Sequence, residues 1–140
     1  MKGSMVFAAS LAAAFVGLMT TVRAADATYT AEQAKRGEAI YADWGRCYEC
    51  HLKTFEGDPQ RQAAPIIGVG FMRKWSSQPL SELHYKIRYT MPQGYRGAGT
   101  LRENDVSDLI AYILQRNGVP PGDKELPKTE GELKQLMIKK

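Results

Sequence analysis

Two cysteines and a histidine stand together in the segment Cys47-Tyr48-Glu49-Cys50-His51. The chain has 2 cysteines and 2 histidines, so this segment holds all but one of those side chains. A C-x-x-C-H segment can serve as a redox dithiol, as part of a zinc site, or as the attachment point of haem c. Which of these three roles applies constrains the fold, because a haem attached to this segment has to be enclosed by the rest of the chain.

The dithiol and the zinc site lack the surroundings that they need. A thioredoxin-like dithiol accompanies a βαβ pattern, and strand signals are nearly absent here. Structural zinc needs four ligands, usually with a second pair at similar spacing, and the chain adds only His84. The sequence therefore favours haem attachment, with Cys47 and Cys50 bonded to the porphyrin and His51 as the proximal iron ligand.

Haem iron held by histidine needs a second ligand for electron transfer, and methionine is a common one. Outside the N-terminal apolar segment, the candidates are Met72, Met91 and Met137. Met91 is preferred, because it lies in a loop rich in glycine and proline where the backbone can bring a side chain inward. Met72 lies in an apolar segment and is expected in the core, and Met137 lies in a polar tail. His84 would give a bis-histidine site, but we expect a surface or rim residue there.

The first 24 residues have the layout of an export signal. Lys2 precedes an apolar run, and Val22-Arg23-Ala24 carries residues that a signal peptidase accepts. We expect cleavage after Ala24 and a periplasmic protein; an uncleaved run would be a membrane anchor. Cleavage removes two cations, leaving 17 Lys and Arg (19 − 2) against 15 Asp and Glu, a net charge of +2. So balanced a charge argues against a nucleic-acid partner.

Helical signals dominate the remaining sequence, which predicts an all-α fold of three or four helices without a sheet. A capping box at Thr30 and Gln33 predicts a first helix that runs to about Trp44. A second helix is predicted to begin near 77–79. The last helix is predicted to follow a capping box at Thr100 and Glu103 and to stop at Asn117-Gly118. The predicted domain covers residues 25–128, followed by a tail at 129–140 with a short helix from Thr129.

Taken together, these motifs resemble those of class I cytochromes c, which are small proteins with one covalently attached haem. The similarity is greatest to the cytochromes found beside periplasmic quinoprotein dehydrogenases and sulfur-oxidising enzymes. The segments that carry it, besides C-x-x-C-H, are Pro65-Ile66-Ile67-Gly68, Phe71, Trp75, Met91-Pro92, Ala111-Tyr112-Ile113-Leu114, Asn117-Gly118, Pro121-Gly122 and Glu125-Leu126-Pro127.

The resemblance implies a cytochrome c fold in which the first and last helices cross, with Gly37 and Tyr41 near Leu109 and Tyr112. It implies that the Pro65 carbonyl lies near the free ring nitrogen of His51. The implied haem walls are Ile67, Phe71, Trp75, Leu83 and Ile87. One departure from the family pattern is Arg102, where relatives often have serine as the N-cap; it leaves the start of the last helix open between Thr100 and Arg102.

The implied function is a single-electron shuttle, not an enzyme, with low-spin iron bound by His51 and Met91. Its redox partners would be a periplasmic dehydrogenase on one side and a terminal oxidase or another cytochrome on the other. The alternative is a haem enzyme or gas sensor in which the Met91 ligand is labile or absent.

Overall fold

The computed structural model describes residues 24–93 and 99–139, so the predicted signal peptide, apart from its last residue Ala24, lies outside the described residues. The described part contains helices α1 (Ala31–Ala42), α2 (Tyr48–His51), α3 (Gly68–Trp75), α4 (Leu80–Thr90), α5 (Glu103–Arg116) and α6 (Glu130–Leu133), a 3-10 turn (Pro59–Arg61), and strands β1 (Ala25–Asp26) and β2 (Leu136–Met137). None of the helices in these two ranges is long and apolar enough to cross a membrane.

Helix α1 begins as predicted and then crosses α5. The Thr30 hydroxyl accepts a hydrogen bond from the Gln33 amide at 3.1 Å, and the helix ends at Ala42, two residues before Trp44. Beyond the crossing, the rings of Tyr41 and Tyr112 meet edge to face with centroids 5.7 Å apart. The predicted all-α fold with crossing terminal helices is therefore confirmed.

Helix α5 starts at the second of the two positions that the sequence left open. Its N-cap is Arg102, and Asp105, not Glu103, completes the capping box. The Asp105 carboxylate accepts from the Arg102 backbone amide at 3.1 Å and from its guanidinium at 2.7 Å. One carboxylate therefore satisfies both donors and fixes the first turn. The helix ends before Asn117-Gly118, as predicted.

Two further elements were not predicted from the sequence. The apolar segment before Trp75 is a regular helix, α3. Strands β1 and β2 form a short parallel pair, in which Ala25 lies opposite Leu136 and Asp26 opposite Met137. This ladder is only two residues long, but it joins the two ends of the described chain.

The C-terminal residues 129–139, which we call the strap, belong to the core. Leu133 and Ile138 are 0% and 2% exposed and join the same hydrophobic cluster as the buried residues of α1 and α5. The strap lies against α4, which contacts both α6 and β2. Just before it, Leu126 exchanges two hydrogen bonds with the buried Gln33 side chain, at 2.8 and 3.2 Å.

Candidate functional site

A cavity of about 890 Å³ opens between α2, α3, α4 and α5. This volume is within the range of roughly 300 to 1,000 Å³ that is usual for sites of small molecules and cofactors. Its floor is the buried face of α5, where Leu109 and Ile113 line it, and Tyr41 contributes from α1.

The C-x-x-C-H segment forms one side of this cavity. Cys47 is the N-cap of α2, and the His51 amide donates to the Cys47 carbonyl at 2.9 Å, so one helical turn brings Cys47, Cys50 and His51 to the cavity together. Both cysteines are half-buried free thiols. Burial raises the pKa of the Cys47 thiol to about 11. A redox dithiol needs a nucleophile with a lowered pKa, so the structure argues against that chemistry.

The ring of His51 is held in one orientation by a backbone carbonyl. Its Nδ1 lies 3.0 Å from the Ala64 carbonyl oxygen. A carbonyl only accepts, so Nδ1 carries the proton and Nε2 keeps a free lone pair. Burial lowers the pKa of His51 while the Ala64 carbonyl opposes this. The structure therefore favours the neutral imidazole that binds metals, oriented by the carbonyl.

The residue that supplies this carbonyl is Ala64, not Pro65 as the resemblance implied. The reason is a close approach between two backbone segments at Gly57. A Cβ at Gly57 would lie 2.2 Å from the Ala63 carbonyl oxygen, so only glycine lets the chain at Ala63 and Ala64 pack against the loop behind His51. Pro65 follows this contact and lines the cavity.

Most of the residues named as haem walls line the cavity, and one does not. Phe71 and Trp75 do so from α3, and Leu83 and Ile87 from α4. Ile67 is absent from the lining, and its neighbour Ile66 takes that place. The backbone at Ile67 is extended, and successive side chains of an extended chain point to opposite sides. Both Ile66 and Ile67 pack against the core, but only Ile66 also lines the cavity.

Met91 is the candidate methionine that lines the cavity. It is the C-cap of α4, and its amide donates to the Ile87 carbonyl at 3.2 Å, so the helix end holds it at the cavity. Met72 is half-buried against the core and Met137 lies in β2, both outside the lining. The expectation for His84 was wrong, since its side chain is fully buried; it too lies outside the lining.

The sequence interpretation missed a set of cations around this cavity. Four of them line it and no aspartate or glutamate does, among the residues that the structure describes; they are Arg46, Arg61, Lys74 and Lys86. Lys86 could have been found, because it lies three residues after Leu83 on the same helical face. Arg46 and Arg61 are paired with Glu49 and Asp58, which lie outside the lining. The cavity therefore has apolar walls, and Lys74 and Lys86 supply the positive charge that no carboxylate of the described residues balances.

The residues present fit haem c. Two thiols, an imidazole and a thioether face one largely apolar space, and the cations suit a porphyrin that carries two propionates. Gly70 also lines the cavity, and a Cβ there would meet nothing within 4 Å. Within residues 24–93 and 99–139, no group of three or more His, Cys, Asp or Glu could hold a metal ion. A zinc site made by such side chains is therefore not supported.

Comparison with known proteins agrees with this fit. Residues 34–117, more than half of the chain, match the family model described as Cytochrome c. No curated protein and no solved structure matched the chain. The family carries haem c bonded covalently to a C-x-x-C-H segment, and Cys47 and Cys50 have that spacing.

Proposed function

Because the chain belongs to the cytochrome c family and carries haem c on Cys47 and Cys50, we propose that it is a periplasmic electron carrier with iron bound by His51 and Met91. It takes single electrons from a periplasmic dehydrogenase and passes them to a respiratory acceptor, such as a terminal oxidase or another cytochrome. The observation that carries this proposal is that His51 and Met91 line the same cavity, although they lie on different elements.

The side chains of the cavity have distinct tasks in this proposal. When bound, haem c supplies one-electron chemistry at its iron. His51 offers Nε2 while the Ala64 carbonyl fixes its ring. Met91 offers a thioether, a soft ligand that raises the reduction potential. If His51 and Met91 both held the iron, no ligand position would remain for a substrate, and Phe71 and Leu83 would limit access of water.

A haem enzyme or gas sensor is the competing function. Peroxidase chemistry requires an open iron position and polar groups that can move protons. No carboxylate lines the described cavity, and His51 is the one histidine in its lining. The composition of the cavity therefore favours the carrier.

Absorbance spectroscopy of the purified holoprotein tests the ligation. The oxidised wild type should show the weak near-infrared band of a methionine–iron bond, and Met91→Ala should lose it. Met72→Ala is the matched control, because Met72 is half-buried but lies outside the cavity. If the wild type lacks the band and binds CO readily, the His51 and Met91 assignment fails and the sensor or enzyme gains support.

The electron donor can be identified in an experiment that does not depend on the iron ligands. Oxidised holoprotein is mixed with periplasmic extract of its own host, with an alcohol, an aldehyde or thiosulfate as the added substrate. Reduction that depends on one of these substrates identifies the class of dehydrogenase. The predicted net charge of +2 falls to about zero with two ionised propionates, so we expect a weak dependence of this rate on ionic strength. Failure to be reduced by any of the three would contradict the dehydrogenase assignment.

A further inference from the structure

Helix α4 lies between the cavity and the strap. Some of its residues line the cavity, and others are buried outside it. Leu83, Lys86 and Ile87 line the cavity. Ser81 and His84 are 2% and 0% exposed, and neither lines the cavity. Because α4 packs against α5, α6 and β2, a change at the strap can reach the helix that ends at Met91.

Several buried polar atoms of α4 have no well-formed hydrogen bond among the described residues; they are both ring nitrogens of His84, the Ser81 hydroxyl and Nε of Arg88. The guanidinium of Arg88 has one partner, because Nη1 donates to the Leu101 carbonyl. The backbone of Glu103 acts on the His84 imidazole as an acceptor, although the geometry of that contact is poor. A buried imidazole that is poorly hydrogen-bonded favours its neutral form over the charged one.

Three charged groups act on His84 from the elements around it. Glu103 lies at the start of α5, with its backbone also close to the imidazole, Glu130 lies at the start of α6, and Arg88 is one turn further along α4. Strand β2, Leu136–Met137, contains no titratable side chain. Burial lowers the pKa of His84. The Glu103 backbone and then the two carboxylates oppose this without reversing it.

The strap is attached to the rest of the domain by few kinds of contact. They are the buried Leu133 and Ile138, the two-residue ladder with β1, and an exposed pair between Lys139 and Asp26 at 3.9 Å. The chain just before it is fixed by a hydrogen bond that the Ser107 hydroxyl donates to the Pro127 carbonyl at 2.6 Å. Residues 128 and 129 connect that fixed segment to the strap.

We propose that His84 makes docking of the C-terminal strap sensitive to acid, so that protonation of its imidazole releases residues 129–139 from α4. An exposed histidine has a pKa of about 6.5. The docked state has the lower pKa, so it binds fewer protons than the released state. Docking is then strongest above about pH 6.5 and weakens as the pH falls below that value. Release would loosen the support of the helix that leads to Met91.

Amide hydrogen exchange of the holoprotein tests the proposal. Two reporters depend on docking: the Ala27 amide, which donates to the Met137 carbonyl at 2.7 Å, and the Leu133 amide, which donates to the Thr129 carbonyl at 3.2 Å. After correction for intrinsic exchange rates, their protection should fall by up to about tenfold per pH unit below about pH 6.5. In His84→Gln, which cannot titrate there, protection should be flat. An equal fall in both proteins would overturn the proposal.

The effect of docking on the pKa of His84 can be measured as well, and this second experiment tests the proposal even if His84→Gln does not fold. The chain has 2 histidines, and His51 is the proposed iron ligand, so one free imidazole remains to titrate in NMR spectra of the reduced protein. Its pKa should lie below the ordinary range in the wild type. Leu133→Ala, which weakens docking at every pH, should bring it back toward about 6.5. An ordinary pKa in the wild type, or no change in Leu133→Ala, would refute the coupling.

Discussion

The backbone of Gly37 in α1 lies directly against the carbonyl of Asp108 in α5. A Cβ on Gly37 would be 1.9 Å from the Asp108 carbonyl oxygen and 2.9 Å from the Tyr112 Cβ. The contact continues outward, because Arg36 donates to the Asp108 carboxylate at 2.8 Å. The glycine thus sets the distance between the two terminal helices, and α5 in turn forms the floor of the haem cavity.

Replacing Gly37 by alanine should therefore destabilise the protein, although alanine is the better helix former. The added methyl group has to push α1 away from the backbone of α5, which we expect to cost about 3 kcal/mol or more. Denaturant unfolding of the holoprotein measures this change. Gly131→Ala is the matched control, because Gly131 is also helical and a Cβ there meets nothing within 4 Å. Equal stability of the two variants would contradict the close approach.

A structural feature can be predicted from the sequence when the residues that produce it are close together in the chain. The start of α1 follows from Thr30 and Gln33, which are three residues apart, and the end of α5 follows from Asn117-Gly118. The C-x-x-C-H segment is equally local, since one turn of helix brings its side chains together. Such features need no knowledge of the rest of the chain.

The features that were missed depend on contacts between distant segments. The Ala64 carbonyl reaches His51 because residue 57 packs against residues 63 and 64. His84 is buried in a fold where the strap returns to α4, about fifty residues later in the chain. Hydrophobic periodicity along one helix cannot reveal what packs on its other face.

Covalent attachment of haem should need at least one of the two cysteines. A double variant, Cys47→Ala with Cys50→Ala, should lose haem on a denaturing gel, because only non-covalent contacts would remain. Each single variant keeps one thioether bond and should retain haem on the same gel. Haem staining of the gel, compared with protein staining, gives the result. Retention of haem by the double variant would show that these cysteines are not the attachment points.

Gly57→Ala should disturb the support of His51. Gly57 has a φ of +75°, and its Cβ would meet the Ala63 carbonyl oxygen at 2.2 Å, so both backbone strain and a clash displace the chain that carries the Ala64 carbonyl. Gly118→Ala shares the positive φ, +78°, but meets nothing within 4 Å. We expect a loss of unfolding free energy of about 1 kcal/mol for Gly118→Ala and at least 1 kcal/mol more for Gly57→Ala. A shifted midpoint potential in Gly57→Ala alone would tie the extra loss to the orientation of His51.

Lys86 should raise the midpoint potential of the haem. Its side chain is half-buried in the cavity lining and has no ion pair within the part of the chain that the structure describes. A cation near the iron favours the state with one more electron, so Lys86→Gln should lower the potential, by roughly 20 to 60 mV after allowance for partial screening. Redox titration at low ionic strength measures the shift. Lys35→Gln removes the same charge from an exposed position on α1 outside the cavity and should change the potential by much less. Equal shifts in the two variants would mean that net charge alone, not the position of Lys86 at the cavity, tunes the haem.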